Sequence, residues 1–299
     1  MEKLTFDLPI RTFGGSAGGP SAVITGGVHG DEQTGIHTAM LVCERLAQAN
    51  VLGRVTVLPF SNPEASRVRR RQAPQDGLDL NRTFPGRPDG SYSEQLAWHI
   101  WQLTDGYDYL LDLHCCSLYG STYGMGFYSR HPWAEELLSA LMLDTVVHTK
   151  GTRGQLYIEA AERRGQKGVL IELPGGQPGG VIDVPAAEKC ADGVMNYLVH
   201  IGAVQGQEKA WDKTAFCSTL IDCGTAECDG LFKPAVPAGS AVDKGAVLGW
   251  IDGKPMTAPC DAVATMVSPM RYAFKGMNLF NLTERRRVQP GEIPCPEAK

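Results

Sequence analysis

The first two thirds of the chain alternate between short apolar segments and longer segments with helical periodicity. The strand candidates are Ser21–Val28, Arg54–Phe60, Tyr107–Leu113 and Val169–Leu173. The helix candidates are Glu32–Ala49, Ser93–Leu103, Pro132–Leu143 and Pro185–His200. Strands that alternate with helices form parallel sheets with helices on both faces. The pattern therefore predicts an α/β fold with a mixed, largely parallel central sheet.

The pattern changes near residue 204. From Phe216 to Thr283 short β-rich runs are separated by turns rich in Gly and Pro, and Val204–Lys213 is a polar linker candidate. Turns at intervals of about 8–12 residues are typical of a small all-β domain. Gly239–Gly249 and Thr257–Ala264 resemble the barrel-sandwich pattern of biotinyl and lipoyl domains. We therefore predict two domains, residues 1–204 and residues 205–299, the second of them small, all-β and barrel-sandwich-like.

Charge and cysteine content exclude several classes of protein. The chain has 28 Lys and Arg against 33 Asp and Glu, and this net charge of -5 argues against general nucleic-acid binding. No apolar run of about 18 residues is present, and Met1–Gly15 lacks the pattern of a signal peptide, so no membrane partner is expected. Nine irregularly spaced cysteines are typical of reduced thiols, which predicts a cytoplasmic protein.

Two of the predicted strands end in residues that bind metals. His29 and Glu32 lie three residues apart where the first strand enters a helix, and His114 ends the strand that begins at Tyr107. The carboxyl ends of parallel strands share one edge of the sheet, so the three side chains can meet. Two His and one Glu are the ligands of a catalytic zinc whose fourth position stays open. The alternatives are a charged helix cap for His29 and Glu32, and a structural role for His114.

Two further segments carry charged side chains at positions where a purely structural role would be unusual. Glu172 lies in the apolar run Val169–Leu173, where a carboxylate is costly unless it is paired or takes part in a reaction. Beside a zinc ion it can move a proton, and the alternative is an edge-strand Glu that faces solvent. The long loop Pro63–Gly90 carries several Arg residues, and loops of this length usually serve a function.

Four motifs in order give the chain a family resemblance. They are HGDE (His29–Glu32), DGLDLNRTFPG (Asp76–Gly86), DLH (Asp112–His114) and IELPGG (Ile171–Gly176). With these motifs the chain resembles the succinylglutamate desuccinylase/aspartoacylase family, a branch of the zinc carboxypeptidase-like hydrolases. The resemblance implies a three-layer, zinc-carboxypeptidase-like catalytic domain, one Zn²⁺ per chain, and cleavage of the amide bond of an N-acyl amino acid.

The resemblance also implies roles for individual residues. The implied zinc ligands are His29, Glu32 and His114, with Asp79 as the carboxylate that orients the first of them. Glu172 is implied as general base and acid, and Asn81 and Arg82 as the pair that binds a substrate carboxylate. Arg71 resembles the residue that polarises the scissile carbonyl, with Arg69 and Arg70 as alternatives. Arg153, Arg163 and Arg164 are further candidates for contact with substrate.

Two other functions stay open at this point. One is a zinc carboxypeptidase that acts on short peptides, although such enzymes usually follow the base with Leu-Arg-Asp and not with Leu173-Pro174-Gly175-Gly176. The other is a non-catalytic metal-binding scaffold protein. The sequence leaves the acyl group, the amine and a homo-oligomeric state open.

Overall fold

The computed structural model describes residues 4–15, 18–126, 130–176, 179–221, 224–289 and 292. Seven of the nine cysteines lie within this part, and no disulfide joins any two of these seven. Cys223 and Cys295 lie outside the described residues. No helix within the described ranges is long and apolar enough to cross a membrane.

The chain forms helices and strands in alternation up to residue 200. The helices are α1 (Gln33–Leu46), α2 (Pro63–Val68), α3 (Tyr92–Leu103), α4 (Trp133–Ala140), α5 (Leu156–Arg164) and α6 (Val184–His200), with a 3-10 helix at Leu80–Arg82. The strands of this part are β1 (Arg11–Gly14), β2 (Ser21–Gly26), β3 (Arg54–Leu58), β4 (Tyr109–Ser117), β5 (Tyr123–Gly126), β6 (Thr145–His148), β7 (Lys167–Gly176) and β8 (Val181–Ile182). The strands that follow are β9 (Ala215–Cys217), β10 (Leu220–Ile221), β11 (Gly230–Pro234), β12 (Ala241–Val242), β13 (Val247–Ile251), β14 (Lys254–Thr257), β15 (Ala262–Val267), β16 (Arg271–Ala273) and β17 (Phe280–Glu284).

The central sheet is mixed and largely parallel, which confirms the prediction. Its strand order is β1-β3-β2-β4-β7-β5-β6-β9, and β8 pairs with β7. The four central strands β3, β2, β4 and β7 are parallel, whereas β1 and β5 join them in the antiparallel sense. The carboxyl ends of β2, β4 and β7 therefore lie side by side at one edge, where ligands bind in sheets of this kind.

Helices cover both faces of this sheet because the side chains of its strands alternate between two apolar clusters. Leu111 and Leu113 pack with α1, α4 and α6 on one face, and Leu110 packs with α3 and α5 on the other. Successive residues of a strand point to opposite faces, so β4 contributes to both clusters. The result is a three-layer arrangement of helices, sheet and helices.

The C-terminal part is built from β-strands, as the turn spacing predicts. Two four-stranded antiparallel sheets have the orders β10-β17-β15-β12 and β14-β13-β11-β16. A third apolar cluster, which includes Phe232 and Phe280, lies between them. Strand β9 is different: it follows residue 204, yet it pairs with β6 of the central sheet.

The structure differs from the sequence prediction in the loop Pro63–Gly90. This segment contains α2, because Asn62 accepts a hydrogen bond from the Ala65 amide and Pro63 occupies the first turn, which together start a helix. It also contains the 3-10 helix at Leu80–Arg82. Helix α5 and the short strands β1, β5, β6 and β8 were not predicted either.

Candidate metal centre

His29, Glu32 and His114 converge on one point at the carboxyl edge of the sheet. The Nδ1 atoms of His29 and His114 lie 2.7 and 2.8 Å from the two carboxylate oxygens of Glu32, and 3.2 Å from each other. All three side chains are buried, and their ligand atoms lie within 4.8 Å of one another. The structure therefore brings together all three residues that the spacing predicts as metal ligands.

Each histidine turns its other nitrogen toward a second carboxylate. His29 Nε2 lies 3.1 Å from Asp79 Oδ1, as expected for the residue that orients this ligand. His114 Nε2 lies 3.0 Å from Asp112 Oδ2, and Thr25 Oγ1 donates to Asp112 Oδ1 over 2.7 Å. Carboxylates in this position fix the tautomer and ring orientation of a ligand histidine. The sequence alone predicts no role for Asp112, although this residue lies in the motif DLH (Asp112–His114).

The charges of the site favour a cation at the point of convergence. Burial by itself raises the pKa of Glu32, but the charges of His29 and His114 outweigh it and hold this pKa well below its ordinary value. Burial lowers the pKa of His114, yet Asp112 and Glu32 raise it well above its ordinary value. Two imidazole nitrogens and one carboxylate are a donor set that suits zinc, so the residues present fit this ion.

Glu172 lies beside these ligands on the neighbouring strand. It occupies the register position next to His114 in the parallel pair β4–β7 and lies across from Tyr123 of β5. Its strand is therefore internal, which excludes the alternative of an edge-strand Glu. The Oε2 atom of Glu172 is buried and accepts no hydrogen bond from any described residue. Burial, opposed by the charge of His114, raises the pKa of this carboxyl to about 7.

Arg71 is the member of the Arg69–Arg71 run that reaches the centre. Its Nε and Nη2 atoms donate to Asp79 Oδ2 over 3.0 and 2.9 Å, and its Nη1 atom lies 3.5 Å from Glu32 Oε1. Arg69 ends α2 in the left-handed conformation with φ of 51°, and both Arg69 and Arg70 are exposed. The turn after α2 thus selects Arg71, a choice that the sequence left open.

The 3-10 helix carries Asn81, which contacts His114, and Arg82. Asn81 is buried; its Nδ2 atom lies 3.2 Å from His114 Nε2, and its Oδ1 atom accepts from the Leu156 amide over 3.0 Å. Arg82 Nη1 donates to the carbonyl oxygen of Asn81 over 2.7 Å. With respect to the described residues, the Arg82 guanidinium therefore keeps donors free, whereas the amide of Asn81 already contacts two protein groups.

The glycine of the HGDE motif has a packing role. Gly30 lies against the backbone of α2 at Ala65 and Ser66, where a side chain would overlap these atoms. A Gly at this position lets the loop that follows β2 pack on α2. The contact holds His29 and Glu32 next to the segment that leads to Arg71.

Comparisons with known proteins agree with this geometry. A model of the succinylglutamate desuccinylase/aspartoacylase catalytic domain matches residues 18–201. The N-alpha-acetyl-L-2,4-diaminobutyric acid deacetylase of Halomonas elongata is 31% identical over 268 residues, which cover 85% of this chain and 74% of the relative.

Solved structures from the same group share the fold. A succinylglutamate desuccinylase/aspartoacylase from Rhodobacter sphaeroides superposes with a TM-score of 0.77 at 26% identity, over 93% of this chain and 90% of the other. The product-bound ectoine utilization protein EutE from Ruegeria pomeroyi superposes with a TM-score of 0.74 at 25% identity, over 92% of this chain and 88% of the other.

Proposed function

The chain belongs to the succinylglutamate desuccinylase/aspartoacylase family, and from this membership we propose that it is a zinc-dependent hydrolase that cleaves the amide bond of an N-acyl amino acid. The observation that carries the proposal is the convergence of His29, Glu32 and His114 beside the unpartnered carboxylate oxygen of Glu172. The Halomonas elongata relative is a deacetylase of an N-acetylated amino acid, which supports this substrate class.

His29, Glu32 and His114 would hold the zinc ion, one per chain. When bound, zinc supplies Lewis acidity to the carbonyl oxygen of the substrate and to the attacking water. Glu172 takes a proton from the attacking water and passes it to the departing amine. A pKa of about 7 suits a group that must accept and return a proton near neutral pH.

Charged groups around this centre would bind and orient the substrate. Arg71 donates from its guanidinium to the carbonyl oxygen as negative charge develops there, because Asp79 holds it at the centre. Asn81 and Arg82 are the proposed carboxylate pair, in which Arg82 offers the free donors and the Asn81 side chain ties the 3-10 helix to the Leu156 amide.

We propose the same division of the chain as the sequence predicts. Residues 1–204 would form a carboxypeptidase-like catalytic domain, and residues 205–299 a small β-rich domain. Hydrogen bonds connect the two parts close to the centre: the Ser121 amide donates to the Thr265 carbonyl over 2.8 Å, and the Val267 amide to the Tyr119 carbonyl over 3.1 Å. Tyr119 and Ser121 follow the strand that carries His114, so these bonds tie the β-rich part to the segment after that strand.

The test is an assay of the zinc-loaded protein against N-acetyl, N-succinyl and N-formyl amino acids and against blocked dipeptides. We expect release of the free amino acid from at least one N-acyl amino acid, and loss of this release in Glu172→Gln with zinc still bound. Cleavage of blocked dipeptides alone would instead indicate a carboxypeptidase. Purified protein without bound zinc and without activity would favour a scaffold protein.

A further inference from the structure

A cavity of about 530 Å³ opens beside the proposed carboxylate-binding residue Arg82. Its charged lining consists of Arg82, Arg153, Arg163, Glu159 and Glu162. Helix α5 supplies the last three, and the turn that precedes α5 supplies Arg153. The cavity therefore lies where α5 packs on the 3-10 helix, one residue away from Asn81 and its contact with His114.

The acidic groups of the cavity already have cationic partners. Glu162 lies 2.9 Å from Arg130 Nη2 and 2.9 Å from His131 Nε2. Glu159 forms an ion pair with Arg163 four residues later on the same helix. Neither carboxylate is left to receive a cationic substrate group.

Two of the arginines keep unused donors. Within the described ranges, Arg82 donates only to the carbonyl oxygen of Asn81 and forms no ion pair. Arg153 Nη1 lies 3.9 Å from Glu159 Oε1, and the buried Nε atom of Arg153 has no hydrogen-bond partner among the described residues. Two guanidinium groups with free donors on one cavity form a site for a planar anion such as a carboxylate.

Glu159 lies next to Arg153 and reaches Arg82 indirectly, through Gly154. Its side chain is 2% exposed, and its Oε1 atom accepts from the Gly154 amide over 3.0 Å. Gly154 in turn packs on the Arg82 backbone with no room for a side chain, and its carbonyl oxygen accepts from the Phe84 amide over 3.2 Å. The buried carboxylate thus holds the turn at Gly154 against the 3-10 helix.

We propose that Glu159 is a positioning residue that sets Arg153 beside Arg82, so that the two guanidinium groups together bind the carboxylate of the substrate. The identity of the ligand as an acyl amino acid rests on the proposed function. The positioning role rests on the contacts of Glu159 with Gly154 and Arg153 and on the packing of Gly154 against Arg82.

The test measures binding without turnover. Full-length, zinc-loaded protein with Glu172→Gln serves as the background, so that no ligand is consumed. N-acetylglycine and N-acetylglycinamide, which differ only in the carboxylate, are titrated in ligand-observed NMR experiments. The variants Glu159→Gln, Arg153→Gln and their combination are compared with Glu162→Gln, a matched change on the same helix whose carboxylate is held by Arg130 and His131.

We expect Glu159→Gln and Arg153→Gln each to weaken binding of N-acetylglycine by about tenfold, as for loss of a charged hydrogen bond. The double variant is expected to bind N-acetylglycine no more weakly than the single variants do, because Glu159 acts through Arg153. Binding of N-acetylglycinamide should change by less than twofold in all variants, and Glu162→Gln should affect neither ligand. If Glu159→Gln does not fold, Glu159→Asp, which keeps the charge but is too short to reach Gly154, should show the same pattern.

Several results would overturn the positioning role. One is that Glu159→Gln weakens binding of N-acetylglycine and N-acetylglycinamide equally, or weakens neither. Another is that the effects of the two substitutions on affinity add up in the double variant. A third is that the background protein binds N-acetylglycine no more tightly than N-acetylglycinamide. Failure of the proposed function gives a different result: the protein with Glu172 intact would release no amino acid from any N-acyl substrate, while the carboxylate-dependent binding pattern persisted.

Discussion

His114 and Glu172 occupy the same register position on the adjacent parallel strands β4 and β7. Side chains at one register position point to the same face of a sheet, so a candidate metal ligand and the candidate base are neighbours by the pairing of the strands alone. The same pairing surrounds Glu172 with backbone on both sides, because β5 pairs with β7 at Tyr123. The pairing thereby fixes the backbone of Glu172 next to the ligands, and its side chain is half-buried with the Oε2 atom covered.

Glu172→Gln should lower kcat/KM by about 10²–10⁴-fold, because the amide keeps the shape of the side chain but cannot accept the proton. Steady-state kinetics on the best N-acyl amino acid measures the loss, and metal analysis shows that zinc is still bound. A variant that retains full activity with zinc bound would contradict the role of Glu172.

Arg71→Gln should lower kcat/KM by about 10²-fold, because a donor to the developing negative charge is lost. Arg70→Gln is the matched control: Arg70 is exposed, and its loss should change kcat/KM by less than twofold. Because Arg71 also contacts Asp79, zinc content is measured in both variants. Equal effects of the two substitutions would argue against the assignment of Arg71.

Asp112→Asn should weaken zinc binding by about 10–100-fold, because His114 Nε2 loses the carboxylate that orients the ring. Competition with a chromophoric chelator gives the affinity. Asp108→Asn serves as the control. Asp108 is exposed and directly precedes β4, at the end of the strand away from His114, so this change should leave the zinc affinity unaltered. Unchanged affinity in Asp112→Asn would show that the contact has no such role.

Zinc affinity should fall as the pH is lowered from 8 to 6. Burial lowers the pKa of His29, but Glu32 and Asp79 outweigh it and raise this pKa, and the pKa of His114 is raised further. Raised pKa values let protons compete with the metal for both rings, so binding releases protons. Calorimetry in buffers of different ionisation enthalpy counts these protons, and a count of zero at pH 7 would contradict the prediction.

Asp76 should stabilise the loop that carries Asp79 in a pH-dependent way. Burial raises the pKa of Asp76, yet hydrogen bonds from Ser93 and Ser91 outweigh it and hold this pKa below its ordinary value of 3.8. A lowered pKa in the folded state contributes stability that is present above the ordinary pKa and is lost as the pH falls through the lowered one.

Asp76→Asn should therefore lower the Tm at pH 7 and lose less Tm than the parent protein between pH 4 and pH 2. Thermal unfolding followed by circular dichroism measures both quantities. Parallel Tm curves for the two proteins across this range would show that Asp76 does not contribute in this way.

The sequence predicted that His29, Glu32 and His114 meet, because spacing and strand ends determine where these residues lie. It could not assign Asp112, since a carboxylate inside an apolar strand gains its partner only through the position of His114 two residues later. It favoured Arg71 but kept Arg69 and Arg70 as alternatives, because the left-handed turn at Arg69 decides which side chain reaches Asp79. The partners of these side chains depend on tertiary contacts, which the periodicity of the sequence does not predict.

Helix α5 was missed for a related reason. Its apolar residues Leu156, Tyr157 and Ile158 stand together at its start, and polar residues follow, so no helical stripe is visible. The buried Glu159 also reads as a surface residue in the sequence. Its role depends on the turn at Gly154 meeting the 3-10 helix, a contact between segments about 70 residues apart.

Strand β9 has a consequence for any attempt to shorten the protein. It belongs to the sequence beyond residue 204, yet it covers the outer side of β6, whose four residues are all buried. A polypeptide cut at residue 204 would expose that strand as an open edge, and open edges recruit strands from other molecules. The C-terminal part is thus no detachable accessory. Transplanting the hydrolase portion alone into a fusion protein would bring self-association with it, whereas a cut after Cys217 would keep the edge covered.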